Sequence, residues 1–139
     1  MTSAAAKLNA FPVFMRVENR EVVIVGGGEE ALAKARLLAQ SSATLAIVAD
    51  EPEESLADWA AANGVRIIRE AYDASHLSGA ALVFAASGEE ALDRLVVEDA
   101  RRAGIPVNAV DRPELCDFFT PALVNRAPVA VAIGTEGAG

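Results

Sequence analysis

The chain has 139 residues, with 12 Lys or Arg against 20 Asp or Glu for a formal net charge of −8, and 53% of its residues are hydrophobic but only 5% aromatic. That is one domain's length, able to withdraw about 70% of its unfolded surface from water, so a chain disordered throughout is excluded, and a single cysteine excludes a disulfide-stapled miniprotein. The acidic balance, with no Lys/Arg-rich stripe, argues against nucleic acid, no apolar run approaches the ~20 residues of a membrane span, and the first ten residues lack the apolar stretch of a secretory signal. These features predict a cytoplasmic protein with no membrane partner.

In chain order, Glu21-Val22-Val23-Ile24-Val25 reads as a buried strand, followed by three glycines and a helix over residues 29–40 with apolar residues at Leu32, Ala35, Leu38 and Ala39. Residues 44–48 predict a second strand, Asp50-Glu51-Pro52-Glu53 a loop, and residues 52–63 a helix that Gly64 terminates. A third strand is expected over 65–69 and a fourth over 81–86. The next helix begins at Ser87-Gly88-Glu89-Glu90, with Leu92, Val96 and Ala100 on the core face and Asp93, Arg94, Glu98 and Asp99 directed to solvent, and ends at Gly104. Residues 105–110 predict a fifth strand and 129–133 a sixth. Between them, residues 111–128 hold three prolines without clear periodicity, the mark of a functional or mobile connection. Strands alternating with helices imply parallel βαβ units. The predicted fold is therefore α/β, Rossmann-type and doubly wound, with a mainly parallel sheet of about six strands in a three-layer α/β/α arrangement. It is one domain over residues 1–139, with residues 1–10, including Ala4–Ala6, expected to be disordered.

Gly26-Gly27-Gly28-Glu29-Glu30-Ala31 matches G-x-G-x-x-A directly after an apolar strand and before an amphipathic helix, the context that gives this pattern meaning. Gly26 permits a sharp turn, Gly28 lets the backbone approach a pyrophosphate, and Ala31 lets the helix lie close to the strands. The amides of Gly28, Glu29 and Glu30 would face the phosphates, while the carboxylates of Glu29 and Glu30 point into solvent. About 20 residues on, Asp50 with Glu51 occupies the place of the acid that hydrogen-bonds a ribose diol, which favours NAD over NADP. The turn could instead be glycine-rich for packing alone. Ser87 would lie across the crevice from the first turn, as a cofactor contact or as a cap on the next helix.

Asp111 follows the fifth strand and so should lie at the same carboxyl edge of the sheet. A carboxylate partly shielded there could move protons beside a bound cofactor; the other reading is an ordinary turn aspartate before Arg112-Pro113. His76, the only histidine, sits in a polar turn and is expected at the surface; one histidine makes no metal cluster, and no metal ligands are assigned. Cys116 is expected to be a small packing residue rather than a reactive thiol. No serine has a nucleophile-elbow context.

Taken together, several segments carry a resemblance. Phe11-Pro12-Val13-Phe14 precedes the glycine turn, and Lys34-Ala35-Arg36-Leu37-Leu38 follows it. Further on stand Ala85-Ala86-Ser87, Val107-Asn108-Ala109-Val110-Asp111, Phe118-Phe119-Thr120-Pro121-Ala122 and Arg126-Ala127-Pro128. From about Phe11 to the final residue the chain resembles the N-terminal domain of the siroheme synthase family. The resemblance implies an NAD-dependent precorrin-2 dehydrogenase, with sirohydrochlorin ferrochelation in many members. Its catalytic aspartate matches Asp111, at the close of the Asn108–Asp111 segment, and its NAD contacts match Glu29, Glu30, Asp50 and Glu51. The implied partners are the tetrapyrroles precorrin-2 and sirohydrochlorin, with Fe²⁺ as a substrate.

The chain also departs from the family. Ala122 stands where serine is frequent, Asp93 where asparagine is common, and Thr135 at a hydroxyl position phosphorylated in some relatives. Family members continue into helices that build a homodimer and close the tetrapyrrole cleft, and many are fused to a methyltransferase, so this chain is expected to be the nucleotide-binding part of a longer polypeptide. The rival from another class is a nucleotide-sensing regulatory module that binds NAD without chemistry.

Overall fold

The computed structural model describes residues 6–135, in which a five-stranded sheet forms from β1 (Glu21–Val25), β2 (Thr44–Val48), β3 (Arg66–Ile68), β4 (Leu82–Ala85) and β5 (Val107–Ala109). The strand order is β3-β2-β1-β4-β5 and every pairing is parallel. The helices are α1 (Glu29–Leu38), α2 (Glu54–Asn63) and α3 (Glu90–Arg102). Gly64 ends α2 in the left-handed conformation, as its position predicted. Ala4, Ala5 and residues 136–139 lie outside the described residues.

The two faces of the sheet follow from the period-2 alternation of its strands. Val22 and Ile24 pack with Leu32 and Ala35 of α1 and Leu56 of α2 on one side, while Val23 and Val25 pack with Val96, Val97 and Ala100 of α3 and with Leu77 on the other. Because both faces are covered, the strands read as unbroken apolar runs. Phe84 is the largest fully buried side chain and meets Phe118 edge to face with centroids 5.3 Å apart. No helix among the described residues is long and apolar enough to cross a membrane.

The sheet has five strands rather than about six. The segment expected as the sixth, β7 (Val129–Ile133), pairs antiparallel with β6 (Ala122–Arg126) in a separate hairpin whose turn carries a cis Ala127–Pro128 bond. The physical reason lies at the outer edge of β5, whose hydrogen-bonding groups are already taken. Val107 N donates to Asp117 Oδ2 and its carbonyl accepts from Asp117 N, while Ala109 N donates to Cys116 Sγ. Residues 111–121 thus close the edge as a strap, and no ladder is left for another strand. Cys116 is half-buried within this strap, consistent with a packing role. Burial raises its thiol pKa, with a backbone hydrogen bond from Ala109 opposing and Asp117 and Glu114 reinforcing the rise.

Candidate functional site

The carboxyl edge of the sheet is knitted by hydrogen bonds that run past the strand ends. Gly26 N donates to Val48 O, Ala86 N to Val25 O, and Val110 N to Ala85 O, so the loops after β2, β1, β4 and β5 form one continuous platform. The chain reverses its direction of travel across the sheet between β1 and β4, where open α/β sheets bind ligands. A cleft of about 440 Å³ opens there, lined by Gly26, Gly27, Asp50, Glu51 and Ser87 together with Glu70, Tyr72, Glu89, Leu92 and Leu95.

Gly26 is required by geometry. A Cβ on Gly26 would stand 2.0 Å from the carbonyl oxygen of Ala86, at a φ of +154°. A Cβ on Gly28 would face the Glu53 carboxylate at 3.3 Å. Gly28 is the N-cap of α1 and offers no side chain, so the first amides of that helix receive no side-chain cap. Close-approaching backbone, uncapped amides and a helix dipole form a cradle that fits a dinucleotide pyrophosphate.

Of the predicted cofactor contacts, Gly26, Gly27, Asp50, Glu51 and Ser87 share the cleft, and Gly28, Glu29 and Glu30 flank it at the start of α1. Asp50 and Glu51 are exposed on its β2 side, open to a ribose diol. Glu29 points to solvent, as predicted, but Glu30 does not. It turns inward, and its Oε2 is buried with no hydrogen-bond partner. Burial raises its carboxyl pKa, Asp111 and Asp93 add to the rise, and Arg112 and Lys34 oppose it. Asp111 stands beyond Ser87, one strand further along the platform, outside the lining of the cleft. It is exposed rather than partly shielded, and it adopts φ +62°, a left-handed backbone uncommon for a non-glycine residue.

Ser87 combines the two roles its position allowed. It lines the cleft, and its Oγ accepts from Glu89 N at 3.1 Å near the start of α3. Its amide and hydroxyl also donate to Asp93 Oδ1 at 3.0 and 2.6 Å. Asp93 is therefore not a solvent-facing residue: it is completely buried, and its Oδ2 accepts from Arg112 Nη1 at 2.9 Å. A signal for this was present, since Asp93, Val96, Val97 and Ala100 fall at i, i+3, i+4 and i+7, the spacing of one buried helix face.

Other contributors escaped the sequence reading. Asn108, 5% exposed, donates through Nδ2 to Phe118 O, and Lys34 Nζ donates to Thr120 Oγ1 at 2.9 Å, both tying the strap to the platform. Tyr72 donates to Asp99 Oδ2 at 2.8 Å, and burial followed by that bond pushes its phenol pKa well up. His76 is mostly buried rather than at the surface, with an 11% exposed side chain. Its Nδ1 accepts from Asp73 N, and its Nε2 lies 2.9 Å from Glu70 Oε1, which anchors a wall residue of the cleft.

Comparison with known proteins places this geometry in context. The family model described as "Putative NAD(P)-binding" matches residues 13–122. Siroheme synthase of Ectopseudomonas mendocina (strain ymp) is 43% identical over 126 residues, covering 91% of this chain and 27% of that protein. Siroheme synthase of Azotobacter vinelandii (strain DJ / ATCC BAA-1303) is 41% identical over 130 residues, covering 94% of this chain and 28% of its own length. The chain thus spans little more than a quarter of these curated relatives. A solved structure described as "SirC, precorrin-2 dehydrogenase" shares the fold with a TM-score of 0.74 at 23% identity, covering 94% of this chain and 64% of that one. With its glycine turn, uncapped helix and matched span of residues 13–122, the chain belongs to this NAD(P)-binding family and is similar over nine-tenths of its length to siroheme synthases.

Proposed function

We propose that this chain is the NAD-binding dehydrogenase module of an enzyme that converts precorrin-2 to sirohydrochlorin in siroheme biosynthesis. The observation that carries the reading is the placement of a pyrophosphate cradle and an unpaired carboxylate on one platform. The turn at Gly26–Gly28 and the acids Asp50 and Glu51 lie on one side of Ser87, and Asp111 on the other. Among the described residues Asp111 makes no hydrogen bond or ion pair, so its carboxylate is available to a substrate. The names of the similar proteins supply the substrate class.

NAD, when bound, supplies the two-electron acceptor for the hydride that leaves the macrocycle. The amides at the start of α1 would hold the pyrophosphate, and the Asp50 and Glu51 carboxylates would accept the ribose hydroxyls and repel a 2′-phosphate. Ser87 borders the crevice between cofactor and substrate. Asp111 takes up the proton lost as the ring system becomes more conjugated, and its exposure lets it return that proton to solvent. In ferrochelation the same carboxylate would receive the pyrrole N–H protons as Fe²⁺ enters. The macrocycle supplies the metal's nitrogen ligands, so no protein metal cage is needed. Exposed apolar side chains at Phe11, Phe14, Val129, Val131 and Ile133 suit a full-length protein that is a homodimer, which sedimentation would test.

The test is an anaerobic assay of the full-length protein with NAD and precorrin-2, read by the absorbance of sirohydrochlorin. Asp111→Ala should lose most of the turnover while binding NAD as the wild type does. Full turnover by that variant removes Asp111 from the mechanism, and NAD binding without turnover in the wild type favours a sensing module. Adding Fe²⁺ to sirohydrochlorin tests chelation, and an unchanged spectrum excludes it.

A further inference from the structure

Among the described residues, Asp93 is a fully buried carboxylate whose hydrogen bonds go to two loops and none to its own helix: Oδ1 accepts from the amide and hydroxyl of Ser87, and Oδ2 from Arg112. Ser87 belongs to the loop after β4, which touches Gly26, and Arg112 to the loop after β5, immediately following Asp111. Burying a carboxylate is unfavourable, and well-packed apolar residues stabilise a fold at least as well as a buried ion pair, so core packing does not account for this arrangement.

The backbone supplies the second observation. Asp111 holds φ +62°, a left-handed conformation uncommon in non-glycine residues though aspartate adopts it more readily than most, so its side-chain direction depends on how the turn is held. The next residue is fastened at both ends: Arg112 N donates to Ala109 O at 3.1 Å, its carbonyl accepts from Leu115 N at 2.9 Å and Cys116 Sγ at 3.5 Å, and its Nη1 donates to Val110 O at 3.4 Å and to Asp93. Of these bonds, only the one to Asp93 reaches α3 and, through it, the Ser87 loop. The pairing also commits the Arg112 guanidinium elsewhere, so that it does not neutralise the carboxylate beside it.

We infer that Asp93, acting through Arg112 and Ser87, is a positioning residue that fixes Asp111 relative to the cofactor crevice. It joins the two loops as a strut across the end of β4, so the proton acceptor and the Ser87 loop that lines the crevice keep one spacing. The inference rests on the reading of Asp111 as the base. It assigns a function to the Asp93–Arg112 pair that the carboxylate's burial alone does not.

The experiment compares Asp93→Asn, Arg112→Gln, the double variant, Arg112→Lys and Asp111→Asn in the full-length protein, measuring kcat, the KM for precorrin-2 and the Kd for NAD. A shift of about 1 Å in a reacting group can cost on the order of 100-fold in rate. Each of Asp93→Asn and Arg112→Gln should therefore lower kcat at least about tenfold, with KM and the NAD Kd changed less than about twofold. Residues that act as a unit are non-additive, so the double variant should lose no more than the worse single variant, and Arg112→Lys should recover part of kcat. Should Asp93→Asn fail to fold, as loss of NAD binding would reveal, Arg112→Gln decides, since the Arg112 side chain is 20% exposed and glutamine keeps an amide donor for the Asp93 carboxylate. Wild-type kcat in Arg112→Gln, or losses that multiply in the double variant, overturns the strut. Wild-type kcat in Asp111→Asn instead overturns the assignment of the base, a distinct result.

Discussion

Gly26→Ala tests the platform directly, because two loops meet there with no space for a methyl group. The added Cβ would lie 2.0 Å from Ala86 O and 2.5 Å from Ala86 C, both backbone atoms that cannot rotate away. Reaching an ordinary contact requires the loops after β1 and β4 to part by about 1.4 Å, which disrupts the 2.8 Å bond from Ala86 N to Val25 O at about 1 kcal/mol. Crowding a packed site adds about 1–3 kcal/mol, and holding alanine at φ +154° adds a similar amount, offset by about 0.5 kcal/mol from a less flexible unfolded chain. The total is about 4 kcal/mol. With an unfolding entropy near 0.3 kcal/mol/K for 139 residues, the midpoint should fall by about 14 °C, measured by circular dichroism without nucleotide. Gly28→Ala is the contrast. Its nearest neighbour is the mobile end of Glu53, so the midpoint should fall by only about 3 °C, while NAD affinity drops at least about tenfold because the methyl stands in the cradle. A Gly26→Ala midpoint within 3 °C of wild type would refute the reasoning.

Glu30→Gln should raise the thermal midpoint at pH 7–8. The folded state binds this carboxyl's proton more tightly than the unfolded chain does, so its ionisation lowers stability as pH rises from the ordinary carboxyl value through the raised folded one. The gain should vanish below about pH 4, where both states are protonated; a pH-independent gain would contradict this. Asp50→Asn combined with Glu51→Gln should narrow the preference for NAD over NADP about tenfold in a binding titration, by removing the charges that repel a 2′-phosphate. Cys116 should react with iodoacetamide at pH 8 at least about tenfold more slowly than free cysteine, because burial raises its thiol pKa, and equal rates would show the strap to be open.

What the sequence reveals here divides by the range of the interactions involved. The first strand, Gly26–Gly28 and Gly64 were readable because strand periodicity, tight turns and helix caps depend on adjacent residues. The second strand, Thr44–Val48, and the start of α1 at Glu29 coincide with the predicted bounds. The sixth strand was misplaced because Val129–Ile133 has a strand's composition but its partner is decided by competition at a distant edge. Asp117 and Cys116 win that competition through a side-chain oxygen and a thiol, and no local pattern announces it. Asp93 was misread because polar residues default to solvent, although its spacing to Val96, Val97 and Ala100 places it on the buried face. Glu30 was misread for the related reason that a carboxylate in the first turn of a helix defaults to solvent, and nothing local announces the burial of its Oε2.

The pairing of β1 with β4 has a kinetic consequence. Val22 and its partner Leu82 are 60 residues apart in sequence, whereas Glu21 and its β2 partner Thr44 are only 23 apart, a difference worth about 0.9 kcal/mol of loop-closure entropy. The β1–β2 half should therefore assemble first, and the seam beneath the glycine turn should close late in folding, held by the Ala86–Val25 bond. A dinucleotide lying across that seam grips contacts absent from the early transition state, so it should slow unfolding while leaving the folding rate nearly unchanged. The crevice that receives the cofactor is in this sense also the latch of the domain.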